Sequence, residues 1–219
     1  MEALRGAGFR IMEASYYCTT LMDPRYRFVV EVMVDVYREV GVGPLVYLDK
    51  RLLSKHVVVD RSRGFVVRVL DGVGELLATV AHAVVKEREV KLLDYLVSLY
   101  LVRGVGGDGV GEFVNLVRRS CLVYGSRLFF SIVALLHRLA HGFVPREIAL
   151  ILRELGGWLD VRWLVEGLMP PYKLSRGDVV RVFVEKFSDP VFRRSVLRGL
   201  PWFSSARSWR RLVEVVFRG

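Results

Sequence analysis

From residue 112 onward, residues that stop helices and residues that start them alternate at short intervals, and this punctuation limits the chain to a series of short capped helices. Gly125 closes a helix read over Glu112–Tyr124, and Ser126 is placed to cap the next, Arg127–His141, which Gly142 stops. Pro145 opens a helix that ends at Gly156. Asp160 caps Val161–Leu168, and Pro170-Pro171 forbids its continuation. Ser175 with Asp178 three residues on forms a capping box for Arg176–Phe187. Asp189-Pro190 is an Asp cap followed by Pro at the first helical position, Pro201 breaks the next connection, and Ser204-Ser205 can cap a last helix to Arg218.

The N-terminal half carries different signals. Asp23-Pro24 predicts a helix over Arg25–Val40 that Gly41 stops. The β-branched runs Val57–Asp60 and Phe65–Val69, around Arg61-Ser62-Arg63-Gly64, predict a β-hairpin that Asp71-Gly72 ends. Gly74–Arg103 is helical in composition, with a break near Lys86–Glu89, and Gly104–Gly111 reads as a breaker between helices. The expected fold is therefore mainly α: a multi-helix globular fold with one small β-hairpin. Its expected organisation is an N-terminal helical region, 1–103, with the hairpin at about 56–70, and a C-terminal helical region, 112–219, with an Arg-rich end at 173–219. One continuous domain is the alternative, since 219 residues suffice for either.

Composition narrows the class. The chain is 53% hydrophobic, which is high for a globular fold and predicts dense packing or burial against other subunits. The longest charge-free apolar stretches, Leu76–Val85 and Leu128–Leu136, are about half the length a bilayer needs, so no transmembrane segment is expected. Met1-Glu2-Ala3 is not followed by a basic segment and an apolar stretch, and no secretory leader is expected. Cys18 and Cys121 are the only cysteines and have no metal-binding spacing. Both are read as small core residues in a reducing, intracellular setting. There is no Gln, and Asn115 is the only Asn, a depletion that fits a thermophilic source.

Net charge is +10, and it is unevenly spread. Residues 173–219 hold 11 basic and 4 acidic residues, and residues 1–172 hold 22 and 19. On a helical wheel Arg207, Arg210, Arg211 and Arg218 fall within an arc of about 100°, opposite Trp209, Leu212, Val213 and Val216. Arg193, Arg194 and Arg198 span about 140° of the preceding helix. Guanidinium groups at one-turn spacing can each fork onto a phosphate and displace condensed counterions. About six neutralised phosphates on duplex DNA correspond to a log–log salt slope near −5. Glu214 lies inside the last stripe and can pair with Arg210 and Arg218, as it would on a solvated, salt-bridged face.

Other motifs have weaker readings. Gly104, Gly106 and Gly109 match G-x-G-x-x-G, but the preceding segment reads as helix and no acidic residue follows at the distance a dinucleotide site needs. His137 and His141 share a helix face, but Arg138 stands where the zincin pattern has Glu. Glu89-Val90-Lys91 is the E-x-K of many metal-dependent nucleases, with Asp60 or Asp71 as the upstream acid, yet it falls in the charged stretch Lys86–Lys91, which reads as helix. Ile148–Leu155 and Asp160–Leu168 outline a helix-turn-helix around Gly156-Gly157. Leu152 stands there where a small residue favours close crossing, and Arg162 where an apolar one is expected.

The sequence thus favours a non-enzymatic nucleic-acid-binding protein, DNA over RNA, that coats or packages without reading bases and associates with itself into an oligomer or larger assembly. The expected contacts are Lys173, Arg176, Arg193, Arg194, Arg198, Arg207, Arg210, Arg211 and Arg218. No catalytic residue, metal or cofactor is expected. The alternatives are a helix-turn-helix regulator, a structural assembly subunit whose arginines form salt bridges, and a metal-dependent nuclease.

Overall fold

The computed structural model describes residues 8, 10–14, 18–23, 28–33, 39–42, 45–61, 67–165 and 169–203. The N-terminal part is built from strands. β1 (Arg10–Ala14), β2 (Cys18–Asp23) and β3 (Phe28–Met33) form an antiparallel sheet in that order. β4 (Glu39–Val42) pairs antiparallel with β5 (Leu45–Asp49). At its described positions the helix expected over Arg25–Val40 is thus replaced by β3 and β4. The run Phe-Val-Val-Glu-Val-Met is rich in β-branched residues, and it pairs with β2 along its whole length, from Cys18–Met33 to Asp23–Phe28. A complete ladder of this kind overrides a local helix start.

The expected hairpin is present as β6 (Val57–Asp60) and β7 (Val67–Leu70), registered from Val57–Leu70 to Asp60–Val67. Between β5 and β6 lie a single helical turn, α1 (Lys50–Leu53), and a 3-10 turn, Ser54–His56. Asp71 then starts α2 (Gly72–Ala81): its side chain accepts a hydrogen bond from Gly74 N at 2.8 Å. The helix widens into a π-helical segment, His82–Glu87, and ends where Arg88 takes the left-handed conformation at φ 58°. This is the break expected near Lys86–Glu89. β8 (Glu89–Val90) follows, so Glu89 lies on a strand and not in the helix expected there; it pairs with β9 (Tyr172–Lys173).

α3 (Leu92–Arg119) runs through the glycine stretch that reads as a breaker. The break is confined to Gly106, whose φ of 62° and ψ of −170° kink the helix. α4 (Val123–His141) starts earlier than Ser126, because the turn is made at Ser120–Leu122 with Cys121 at φ 51°. Gly125 is inside α4 for a different reason than stopping it: a Cβ there would lie 2.9 Å from Val84 Cγ2. Glycine lets α4 cross the π-helical segment closely. Gly142, at φ 80°, ends α4 as expected.

α5 (Arg146–Glu154) and the one-turn α6 (Arg162–Val165) flank Gly156 and Gly157, both at positive φ. α7 (Arg176–Lys186) has the expected cap, with Asp178 N donating to Ser175 Oγ and Ser175 Oγ donating to Asp178 Oδ2. α8 (Pro190–Phe203) starts at Asp189 and passes through Pro201, which was expected to break the chain; the missing N–H falls in the final turn and removes a single ladder bond. The architecture is mainly α, as the helix punctuation requires, and β-structure extends beyond the one hairpin.

One continuous cluster of buried apolar residues reaches from Tyr47 on β5 to Phe192 on α8. At its centre Phe130 of α4 meets Phe113 of α3 edge to face, ring centroids 5.6 Å apart. α4 is buried over nearly its whole circumference between Gly125 and Ala134, the pattern of a core helix. Among the described residues it alone is long and apolar enough to cross a membrane, and more than half of that stretch is buried inside the fold.

Candidate nucleic-acid interface

The position of α8 is set by a polar junction at the end of α7. Glu185 accepts hydrogen bonds from Val123 N at 2.6 Å and Tyr124 N at 2.8 Å, so it caps α4 from another helix. Lys186 is fully buried. Its ammonium donates to the carbonyl of Ser120, at the end of α3, and to Asp189 Oδ2 at 2.6 Å. Asp189 in turn accepts from Val191 N at 2.8 Å and caps α8. Burial pulls the Lys186 pKa below the ordinary lysine value, against the opposing pull of Asp189. Tyr124 donates its hydroxyl to Asp178, and burial together with that bond raises its pKa.

From this junction α8 lies along β5. Phe192, Ser195 and Gly199 form its buried side, and Ser195 Oγ accepts a hydrogen bond from Val46 N at 2.9 Å. Arg193, Arg194 and Arg198 are all exposed on the opposite side, with exposed Leu197 among them. α8 contains no acidic residue, and among the described residues no carboxylate comes within salt-bridge distance of these three arginines. Lys173 and Arg176 are exposed too, but they sit at the start of α7, separated from the junction by the length of that helix, about 15 Å. The fold therefore brings Arg193, Arg194 and Arg198 together and leaves Lys173 and Arg176 as a separate pair. Arg207, Arg210, Arg211 and Arg218 lie outside the described residues, as do Trp209, Glu214 and the Ser204-Ser205 cap.

The other motifs acquire structural roles. Lys91 Nζ lies 3.3 Å from Glu87 and 3.4 Å from Glu89, so the E-x-K acid and base form an ion pair. His82 and Lys86 join the same group, 3.3 and 3.7 Å from Glu87. Burial, with Lys86 adding to it, lowers the pKa of His82. Gly104, Gly106 and Gly109 follow a helix and not a strand. His137 is buried, with Nδ1 3.0 Å from the Phe143 carbonyl and its ring centroid 4.5 Å from that of His141, the two rings tilted by 46°. In the helix-turn-helix outline α6 provides a single turn, with Arg162 and Trp163 exposed. Among the described residues no three His, Cys, Asp or Glu side chains converge as a metal site. Cys121 is partly exposed in the α3–α4 turn and not in the core; burial raises its pKa.

Sequence reading missed one triad of titratable groups. His56 is buried, its Nδ1 is 3.0 Å from Asp71 Oδ2, and its Nε2 is 3.9 Å from Glu112 Oε1. Gly74 permits the approach, since a Cβ there would lie 2.7 Å from His56 Cβ. The signal available in sequence was Asp71 as a helix cap; the histidine reaches it only through the hairpin. Comparison with protein-family models, with curated proteins and with solved structures gives no match to the chain.

Proposed function

We propose that the protein binds the phosphate backbone of nucleic acid, DNA in preference to RNA, without reading bases, and that copies of it associate to coat or package the polymer. The observation that supports this reading is the face of α8, where Arg193, Arg194 and Arg198 are exposed together without a carboxylate partner among the described residues. Arginines held on a folded helix keep a fixed spacing, lose little freedom on binding, and present planar forks to phosphate. Lys173 and Arg176, exposed at the far end of α7, would make a second, separate phosphate contact.

The test is binding to random-sequence duplex over a range of salt. Wild-type affinity should fall steeply with salt and be insensitive to sequence. Changing Arg193, Arg194 and Arg198 to Glu together should flatten the log–log salt slope by about 2.7, the share of three phosphate contacts. Salt-independent binding by the wild type, or an unchanged slope in the variant, would refute the assignment.

A further inference from the structure

The connection from α5 to α6 is a pinned loop that turns two indoles outward. Gly157 N donates to the carbonyl of Leu152 at 2.7 Å, and Arg127 Nε of α4 donates to the carbonyl of Gly157 at 3.1 Å. Leu159 N donates to Ser131 Oγ of α4 at 2.9 Å, and Val161 is buried in the core. Burial alternates after Gly157, as along extended chain: Trp158 and Asp160 are exposed, Leu159 is half-buried and Val161 buried. Trp163, on the single turn of α6, donates its indole N–H back to the carbonyl of Asp160 at 3.2 Å. That bond holds its ring beside the same segment, two residues, or about 7 Å of extended chain, from Trp158. Trp158 is 47% and Trp163 55% exposed. A loop fixed at several points, with two indoles half-open on it, is an aromatic platform.

The charge around the platform is positive. Arg127 touches the loop at Gly157, and Arg162 is exposed next to Trp163. α6 lies against β9, with Cα atoms of the two elements within 8 Å, which brings the exposed Lys173 into its neighbourhood, with Arg176 three residues on. Asp160 lies 3.8 Å from Arg162 Nε, an exposed pair that solvent screens and a phosphate can displace. Glu89, opposite Lys173 on β8, is engaged by Lys91. We propose that this surface takes a single strand of nucleic acid, with Trp158 and Trp163 stacked on unpaired bases and Arg162 and Lys173 on the adjoining phosphates. Each nucleotide supplies a flat π-face and an anion together, which is the pair of features this surface matches. Stacking tolerates any base, since every base has a π-face. In a duplex those faces are covered by neighbouring base pairs, so the platform separates unpaired from paired polymer while reading no sequence.

The site rests on the nucleic-acid reading above and assigns its second contact to an unpaired stretch. The test is the binding of a labelled oligothymidine of about 20 nucleotides, beside a random duplex of similar length, by fluorescence anisotropy. Trp158→Ala and Trp163→Ala should each weaken oligothymidine binding by about 5- to 150-fold and leave duplex affinity unchanged. Trp163→Phe, which keeps a flat ring, should retain most of the affinity. Changing Arg162 and Lys173 to Glu together should flatten the log–log salt slope for oligothymidine by about 1.4, the share of two single-strand contacts. Circular dichroism checks that each variant is folded. A wild type that does not bind oligothymidine, or binding insensitive to the Trp→Ala changes and to the Glu exchange, overturns the site, leaves the duplex reading standing and assigns the indoles to a protein interface. Oligothymidine binding that requires Trp158 and Trp163, beside a duplex that is not bound, supports the site and overturns the duplex reading alone.

Discussion

A lysine without exposed surface persists in a fold only where its charge is met, and Lys186 meets a carboxylate and a helix-end carbonyl at once. Truncating it leaves Asp189 with a buried, uncompensated charge and leaves the last turn of α3 one donor short. Lys186→Ala should therefore lose about 3–5 kcal/mol of stability, read as a lower urea midpoint. A loss below about 1 kcal/mol would mean that water replaces the ammonium. In the sequence Lys186 is one of the 11 basic residues between 173 and 219, with nothing local to mark it as buried. It faces inward because the residues that neutralise it, Ser120 and Asp189, come together only when α3, α7 and α8 meet.

At the scale of elements, the signals that could be read are those that act within three residues. Ser175 with Asp178, Gly142 and Asp189-Pro190 all start or stop helices where the sequence places them. What could not be read acts across the fold. Glu185 caps α4 from 62 residues away, so the α3–α4 boundary falls before Ser126. Gly125 resembles a stop, yet it serves a helix crossing. β3 looks like a helix after Asp23-Pro24 until β2 is beside it. The arginine face of α8 was legible as a face because the wheel needs only local geometry; its separation from Lys173 and Arg176 was not. The kink in α3 yields a direct prediction. Gly106 holds a backbone conformation nearly confined to glycine, so Gly106→Ala should cost about 1–3 kcal/mol in thermal or chemical unfolding.

For the whole molecule, the continuous core from Tyr47 to Phe192 implies that the described helices lose their packing together. Helix content by far-ultraviolet circular dichroism and tryptophan fluorescence should report one coincident urea transition; two separated midpoints would show that the core is divided. The bond between Val46 N and Ser195 Oγ gives this core a schedule. Its partners are 149 positions apart, which corresponds to roughly 7–30 s of ribosomal synthesis. During that interval the nascent chain has made β5 but not the helix that covers it. In the cell α8 can therefore cover β5 only after that interval, and the face of Arg193, Arg194 and Arg198 is held against the fold only from then on.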